Sequence, residues 1–344
     1  MRALWCEGPG QLAWRDRPEP TLIEPSDVLV RPLAVARCDL DVAIAVGLYP
    51  MPLPMAMGHE VVGEVVAVGG AVESWSRGDR VIVPFQISCG TCPMCRRGLT
   101  NACQQVPPGA AFGLGVRNGI DYGGGLADLM RVPYADQMLL ALPDDMSPVA
   151  AAGIPDNVAD GFRTVAEPLR QFPGGPVLVV GGLAQSVGLY AVAAALALGS
   201  GRVRYVDHDA GRLAAAVALG ADVEERPLDT LGDIRESFPI TVDACVIDAG
   251  RDFALRSTLP CGHCTSVSGG AGPRADLPLQ SMYLKGITYH IGRVHARATA
   301  PSVLELVQRG VFDPLAVAHR VVEFDAAAEE LLAPDIKLIF ARDT

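Results

Sequence analysis

The sequence predicts an α/β protein in two parts, a β-rich domain followed by a doubly wound parallel sheet. Three observations carry this. The chain has 344 residues, too many for one ordinary core. Its first part is punctuated by glycine and proline between short β-branched runs. From about residue 150, short apolar runs alternate with alanine-rich helical stretches, as strands and helices of a parallel sheet do.

Taken in order, "DVLVRPLAVARC", "EVVGEVVAVGG", "GDRVIVPF" and "ADLMRVPY" read as strands of the first domain. "GPVLVVGG" is a short apolar run closed by glycines, as a buried parallel strand should be. "AQSVGLYAVAAALALG" follows as a helix, "RVRYVD" as a second strand and "DAGRLAAAVALGA" as a second helix. "VDACVIDAG" and "HCTSVSGG" are expected to be later strands. After about residue 290 the texture is mixed again. A helix is expected at "PSVLELVQRG" and strands at "HRVVEF" and "KLIFARD". The expected divisions are 1–148, 149–288 and a return over 289–344.

Composition removes several function classes. The net charge is −11 and no basic surface is evident, which argues against a nucleic-acid partner. The N-terminus "MRALWCEGPG" lacks the long apolar core of a signal peptide. The run "LYAVAAALALG" is too short to span a bilayer. The expectation is a cytoplasmic protein without a membrane partner, whose thiols stay reduced.

Nine cysteines in such a compartment do not suggest a disulfide framework. Four of them fall in "CGTCPMCRRGLTNAC", spaced C-x2-C-x2-C-x7-C. Cys89, Cys92, Cys95 and Cys103 suit a closed tetrahedral zinc, with an iron–sulfur cluster or a chance grouping as alternatives. A closed site has no open position for chemistry, so the function lies elsewhere. Cys261 and Cys264 form a second C-x2-C, read as packing residues of a core strand.

The turn "GGLAQSVG" joins a strand to a helix N-terminus, where backbone N–H groups and the helix dipole favour a pyrophosphate. Gly181, Gly182 and Gly188 do not match G-x-G-x-x-G in any register, so the loop alone is a weak signal. Asp207 strengthens it. It ends the next strand, where a carboxylate accepts from the adenosine ribose and repels a 2′-phosphate, favouring NAD over NADP. Alternatively Asp207 or Asp209 only caps the following helix. His208, Arg202 and Arg212 lie close in sequence and soften the discrimination.

Cys38 and the pair His59-Glu60 are unremarkable singly, as a buried thiol and a structural histidine. Their context is different. "GHEVVGEVVAVGGAV" reads G-H-E-x2-G-x5-G-x2-V through Gly58, His59, Glu60, Gly63, Gly69 and Val72. This resembles the signature of zinc-containing alcohol dehydrogenases in the medium-chain dehydrogenase/reductase superfamily. The four-cysteine loop is similar to that family's structural zinc lobe, and Cys38 with Asp41 is similar to its cysteine–acid pair ahead of G-H-E. The resemblance covers nearly the entire chain.

It implies a GroES-like catalytic domain, a Rossmann dinucleotide domain and a C-terminal return. It also implies a catalytic zinc held by Cys38, His59 and a third ligand near the start of the dinucleotide domain. No cysteine stands there. "AAGIPDNVADGFRTV" offers Asp156, similar to the aspartate ligand of glutathione-independent formaldehyde dehydrogenases, with Asp160 as fallback. The alternative role of Asp156, shared with Asn157, is to cap the next helix. Glu60 resembles the family's movable carboxylate, and Asp41 the acid that orients the histidine. One departure matters. The serine or threonine that takes the alcohol proton is replaced by Leu40, in "CDLD". Asp39 and Tyr49 are the substitutes in reach of the sequence argument.

The function implied is a zinc-dependent oxidoreductase moving hydride between an alcohol or carbonyl substrate and NAD, with one structural and one catalytic zinc. Loss of the relay hydroxyl also suits a reductase of conjugated C=C or C=N bonds. A non-catalytic zinc and nucleotide scaffold is the third possibility. Substrate contacts are expected from loops near Tyr49, Phe85, Phe112 and the 270s. Relatives pair the edge strands of their dinucleotide domains, which implies a homodimer or homotetramer.

Overall fold

The computed structural model describes residues 1–342 except 228–230, 271 and 273. Two compact units form: Met1–Ala159 with His295–Leu304 and His319–Thr344, and Asp160–Val294 with Glu305–Ala318. Two of the 270s-loop positions expected to contact substrate, Ala271 and Pro273, lie outside the described residues.

The first unit is β-rich. Its strands are β1 (Arg2–Gly8), β2 (Gln11–Asp16), β3 (Val28–Ala36), β4 (Met55–Ala56), β5 (Glu60–Val68), β6 (Arg80–Val83), β7 (Met130–Val132) and β8 (Leu140–Ala141). β3 and β5 pair antiparallel, with Ala36 opposite Glu60. That register brings the end of β3, and therefore Cys38, beside the start of β5, and therefore His59. Val28, Val30, Val35, Val61, Val62 and Val65 are all buried, so both faces of the pair are covered and apolar contacts stabilise it.

The second unit carries β9 (Val177–Val180), β10 (Val203–Asp207), β11 (Asp222–Glu225), β12 (Phe238–Asp243), β13 (Thr258–Ser266) and β14 (Thr288–Ile291). All are parallel, in the order β11-β10-β9-β12-β13-β14. This is the doubly wound order, with its switch point between β9 and β12. β9 reads VLVV and is buried at every position, as a central parallel strand must be.

In the return, β15 (Arg320–Glu323) and β16 (Leu338–Ala341) join the first unit's large sheet, whose order is β15-β16-β3-β5-β6-β8. The helix expected at "PSVLELVQRG" forms over Ala296–Gln308.

Two expectations fail. The run "VDACVIDAG" is not one strand: β12 ends at Asp243 and a helix starts at Asp248. Between them Val246 takes φ 74°, a left-handed turn rare for a β-branched residue, which breaks the extended run. Cys264 is buried, but Cys261 is exposed and also left-handed, at φ 59°. The strand twists Cys261 out to solvent, so it is not a packing residue.

Candidate active site

The four cysteines of the lobe are buried, with their sulfurs all within 4.8 Å of one another. A tetrahedral site with bonds of ~2.3 Å needs sulfurs about 3.8 Å apart, so the group fits a closed zinc. Backbone donors already serve the thiolates. Cys89 Sγ accepts from Cys92 N–H (3.4 Å), and Cys92 Sγ from Cys95 and Gln104 N–H (3.5 Å each). Cys103 Sγ accepts from Cys89 N–H (3.4 Å). Those backbone donors hold the Cys92 thiol down to about 6, so it ionises readily for a metal.

A second cluster is built on the β3–β5 register. Cys38 follows β3 and caps the helix Asp39–Ala45, its Sγ accepting from Leu40 N–H (3.4 Å). Asp41 closes the cap by accepting from Cys38 N–H (2.9 Å). His59 precedes β5. Gly58 sets its entry at φ 88°, where a Cβ would stand 2.8 Å from Leu126 N. Asp156 arrives in a π-helical turn, Ile154–Val158, that leads into the helix Ala159–Gln171. Such one-turn π insertions are frequent at functional sites. The ligand atoms of Cys38, His59 and Asp156 lie within 4.8 Å of one another.

Ring orientation follows from the acids. His59 Nδ1 lies 3.1 Å from Asp41 Oδ1, which leaves Nε2 facing Asp156 Oδ2 at 3.2 Å. The His59 ring rests against Phe85, centroids 5.4 Å apart. Burial alone would lower the imidazole's pKa, but Asp41 and Asp156 outweigh it and hold it well above the usual value. Burial and the Asp156 charge push the Cys38 thiol up to about 12. Buried thiol, imidazole and carboxylate crowded together are costly without a cation, and a divalent metal reverses the logic for all three. Three ligands leave one position of a tetrahedral zinc, or two of a five-coordinate one, unfilled, so the set suits an open site.

Glu60, Lys337 and Asn157 form the wall behind this cluster. Glu60 is fully buried and its Oε2 pairs with the equally buried Lys337 Nζ. Its Oε1 accepts from Asn157 N–H (2.8 Å). Burial pushes the Glu60 carboxyl up to about 7 against the pull of Lys337. Neither Lys337 nor Asn157 is identified as a site residue by sequence motif. The available signal was a lone lysine inside the apolar run "IKLIF", which demands a buried acid.

Among the other expected residues, Asp160 is engaged by Arg163 Nε at 2.5 Å. Phe85 and Phe112 are buried, and Tyr49 is exposed. Asp156 does not cap a helix, because its carboxylate reaches the His59 ring and the Asn157 amide.

In the second unit the glycine turn follows β9. A Cβ on Gly181 would stand 2.2 Å from the Tyr205 hydroxyl and 2.4 Å from Asp207 Oδ2, so only glycine lets the turn lie on the end of β10. Gly182 lies over Cys245, and Gly188 sits one turn into the helix Gln185–Ala197. No side chain caps that helix, leaving its N-terminus suited to an anion. Asp207 is fully buried and heavily engaged. Its Oδ1 accepts from Arg212 Nη2 (2.7 Å) and from His208 and Asp209 N–H (2.7 and 3.1 Å). Its Oδ2 accepts from Tyr205 OH and Arg212 Nε (2.8 Å each). Burial opposes ionisation, but these donors hold the Asp207 carboxyl below its usual range. Five donors on about four lone-pair sites leave little for a ribose hydroxyl. The helix cap is Asp209, which accepts from Arg212 N–H.

Comparison with known proteins agrees with this architecture. Residues 24–144 match the alcohol dehydrogenase GroES-like domain. The chain is 31% identical over 335 residues to a probable zinc-binding alcohol dehydrogenase of Mycobacterium tuberculosis, covering 96% of this chain and 84% of that protein. It is 33% identical over 239 residues to a glutathione-independent formaldehyde dehydrogenase of Pseudomonas aeruginosa, 65% of this chain and 58% of that one. Among solved structures, an alcohol dehydrogenase from Thermus sp. ATN1 superposes with a TM-score of 0.88 at 29% identity, covering all of both chains. An identity of 31% sustained over nearly the full length, on this fold and around these clusters, establishes that the chain belongs to the zinc-type alcohol dehydrogenase family of the medium-chain dehydrogenase/reductase superfamily.

Proposed function

We propose that this family member works as an NAD-dependent dehydrogenase with two zinc ions per chain, interconverting a small alcohol and its carbonyl. The observation that carries the reading is the Cys38–His59–Asp156 cluster, three ligand atoms of different chemistry within 4.8 Å, backed by a buried Glu60. A zinc there would supply Lewis acidity to a substrate oxygen, and the nicotinamide the hydride acceptor. The chain's own contribution is placement. Asp41 fixes the imidazole, Asp156 and Cys38 complete the ligand set, and Cys89, Cys92, Cys95 and Cys103 hold the second ion away from chemistry.

Leu40 carries no hydroxyl, so proton removal from an alcohol lacks the family's usual first step. Leu40→Ser is expected to raise alcohol turnover or shift its pH profile, since general acid–base steps contribute ~100-fold or more. The test is NAD-linked oxidation of a panel of primary and secondary alcohols, alongside metal analysis. Two zincs per chain with alcohol turnover support the reading. No turnover of any alcohol or aldehyde, in wild type or Leu40→Ser, overturns it and favours reduction of C=C or C=N bonds.

NAD rather than NADP is the cofactor read from Asp207, although Arg212 and Tyr205 share its charge. Asp207→Ala should release Arg212 to meet a 2′-phosphate. The expected change is about tenfold or more in favour of NADP, or ~1.4 kcal/mol, in fluorescence titrations of the two cofactors. Wild-type preference for NADP would sink this reading.

A homodimer or homotetramer is supported by β14, the edge of the parallel sheet. Near it in sequence the helix Leu279–Lys285 exposes Leu279, Tyr283 and Leu284. Among the described residues no helix is long and apolar enough to cross a membrane. Nine free cysteines suit a reducing cytoplasm.

A further inference from the structure

The side chain of Asn157 links two of the three candidate ligands to the buried lysine behind them. Its Nδ2 donates to Cys38 Sγ (3.2 Å) and to Asp156 Oδ2 (3.0 Å). Its Oδ1 accepts from Lys337 Nζ (2.6 Å). Its backbone N–H donates to Glu60 Oε1 (2.8 Å). The amide orientation is dictated by these partners. A flipped amide would set its NH2 against the lysine ammonium and its oxygen against a thiolate and a carboxylate.

We propose that Asn157 is the positioning residue of the three-ligand site. It fixes the Cys38 sulfur and the Asp156 carboxylate relative to each other while holding Glu60 turned toward Lys337. The inference rests on the reading of Cys38, His59 and Asp156 as metal ligands.

Three physical consequences follow. The N–H···S bond withdraws electron density from the thiolate, which makes a metal at that sulfur more acidic toward its remaining ligands. The N–H···O bond occupies Asp156 Oδ2, favouring one-oxygen coordination. The Lys337–Asn157–Glu60 link keeps a second carboxylate out of the ligand set. The π-helical turn is what makes this possible, because it turns both Asp156 and Asn157 into the interior in succession. Only an amide supplies two donors and one acceptor in this geometry. Aspartate keeps the shape and the acceptor for Lys337 but loses both donors, and alanine loses all three contacts.

The test compares wild type, Asn157→Ala and Asn157→Asp. Zinc affinity is measured by competition with a chromophoric chelator, and the near-ultraviolet thiolate-to-metal band is followed after cobalt exchange into the three-ligand site. Both variants are expected to bind zinc at the three-ligand site about 10–100-fold more weakly, the usual cost of losing an outer partner of metal ligands. The cobalt band should move to lower energy, because an unbonded thiolate gives up its electron more easily. The four-cysteine zinc should stay. If Asn157→Ala does not fold, the near-isosteric Asn157→Asp carries the measurement. A folded variant with unchanged zinc affinity and an unmoved band overturns the proposal, leaving Asn157 as a packing residue of the turn. Wild type that holds one zinc per chain would instead overturn the underlying ligand assignment.

Discussion

Asp156→Ala is expected to leave one zinc per chain and to lower dehydrogenase turnover by more than about 100-fold. Loss of an outer partner of a metal ligand already costs ~10–100-fold, and Asp156 is proposed as a ligand itself. Without it the cluster keeps only Cys38 and His59, two donors where an open zinc site needs three. Glu60 is poorly placed to substitute, since Lys337 and Asn157 N–H occupy both its oxygens. The carboxylate also raises the His59 pKa, so its removal should let the ring lose its proton more easily. The fold should survive, because Asp156 caps no helix. Metal analysis and steady-state kinetics on one preparation decide the matter. Two retained zincs with near-normal turnover would remove Asp156 from the ligand set.

Cys95→Ser should have the largest effect on stability. Structural zinc sites of this kind bind with ~10–16 kcal/mol of apparent free energy, and that energy is coupled to folding. Losing even ~5 kcal/mol of it would lower Tm by roughly 10–20 °C for a unit of this size. Partly buried Met94, Val106 and Tyr134 pack around the four sulfurs. The variant should be measured for zinc content and for thermal unfolding at matched protein concentration. An unchanged Tm with both zincs present would show that the sulfur cluster is not a metal site.

Legibility in the sequence follows locality. The four-cysteine lobe is one loop, so its spacing alone points to a closed site. The parallel sheet is readable because β9, β10 and their helices repeat a short local pattern. Its limit is at β12, which ends at Asp243 although the apolar Ala244, Cys245, Val246 and Ile247 follow, with Val246 left-handed. No propensity marks a β-branched residue for that conformation. Asp207 is a subtler case. Its position at a strand end is plain, but Tyr205 shares its face two residues earlier and takes one of its oxygens. Strand alternation contains that information once the strand is accepted. Lys337 signals a buried acid but not which one, and Asn157 carries no signal, because the partners of both depend on tertiary pairing and neither belongs to a spaced motif. The resemblance to a family supplied Cys38, His59 and Asp156 as a set, since spacing could not bring three such distant residues together.

Lys337 and Glu60 are 277 residues apart, yet they meet inside the first unit. The same is true of β16, which must insert between β15 and β3 to complete the large sheet. During translation at about 5–20 residues per second, the sulfur lobe emerges tens of seconds before β16 exists. Until then Glu60 lacks the Lys337 ammonium, and Ala34, Val35 and Ala36 at the end of β3 lack their partners on one edge. The nascent chain therefore completes its four-cysteine loop early, while the buried partner of Glu60 waits on the return strand. Chain connectivity thus sets an order in which the sulfur lobe is complete before the wall of Glu60, Asn157 and Lys337 behind the three-residue cluster can close.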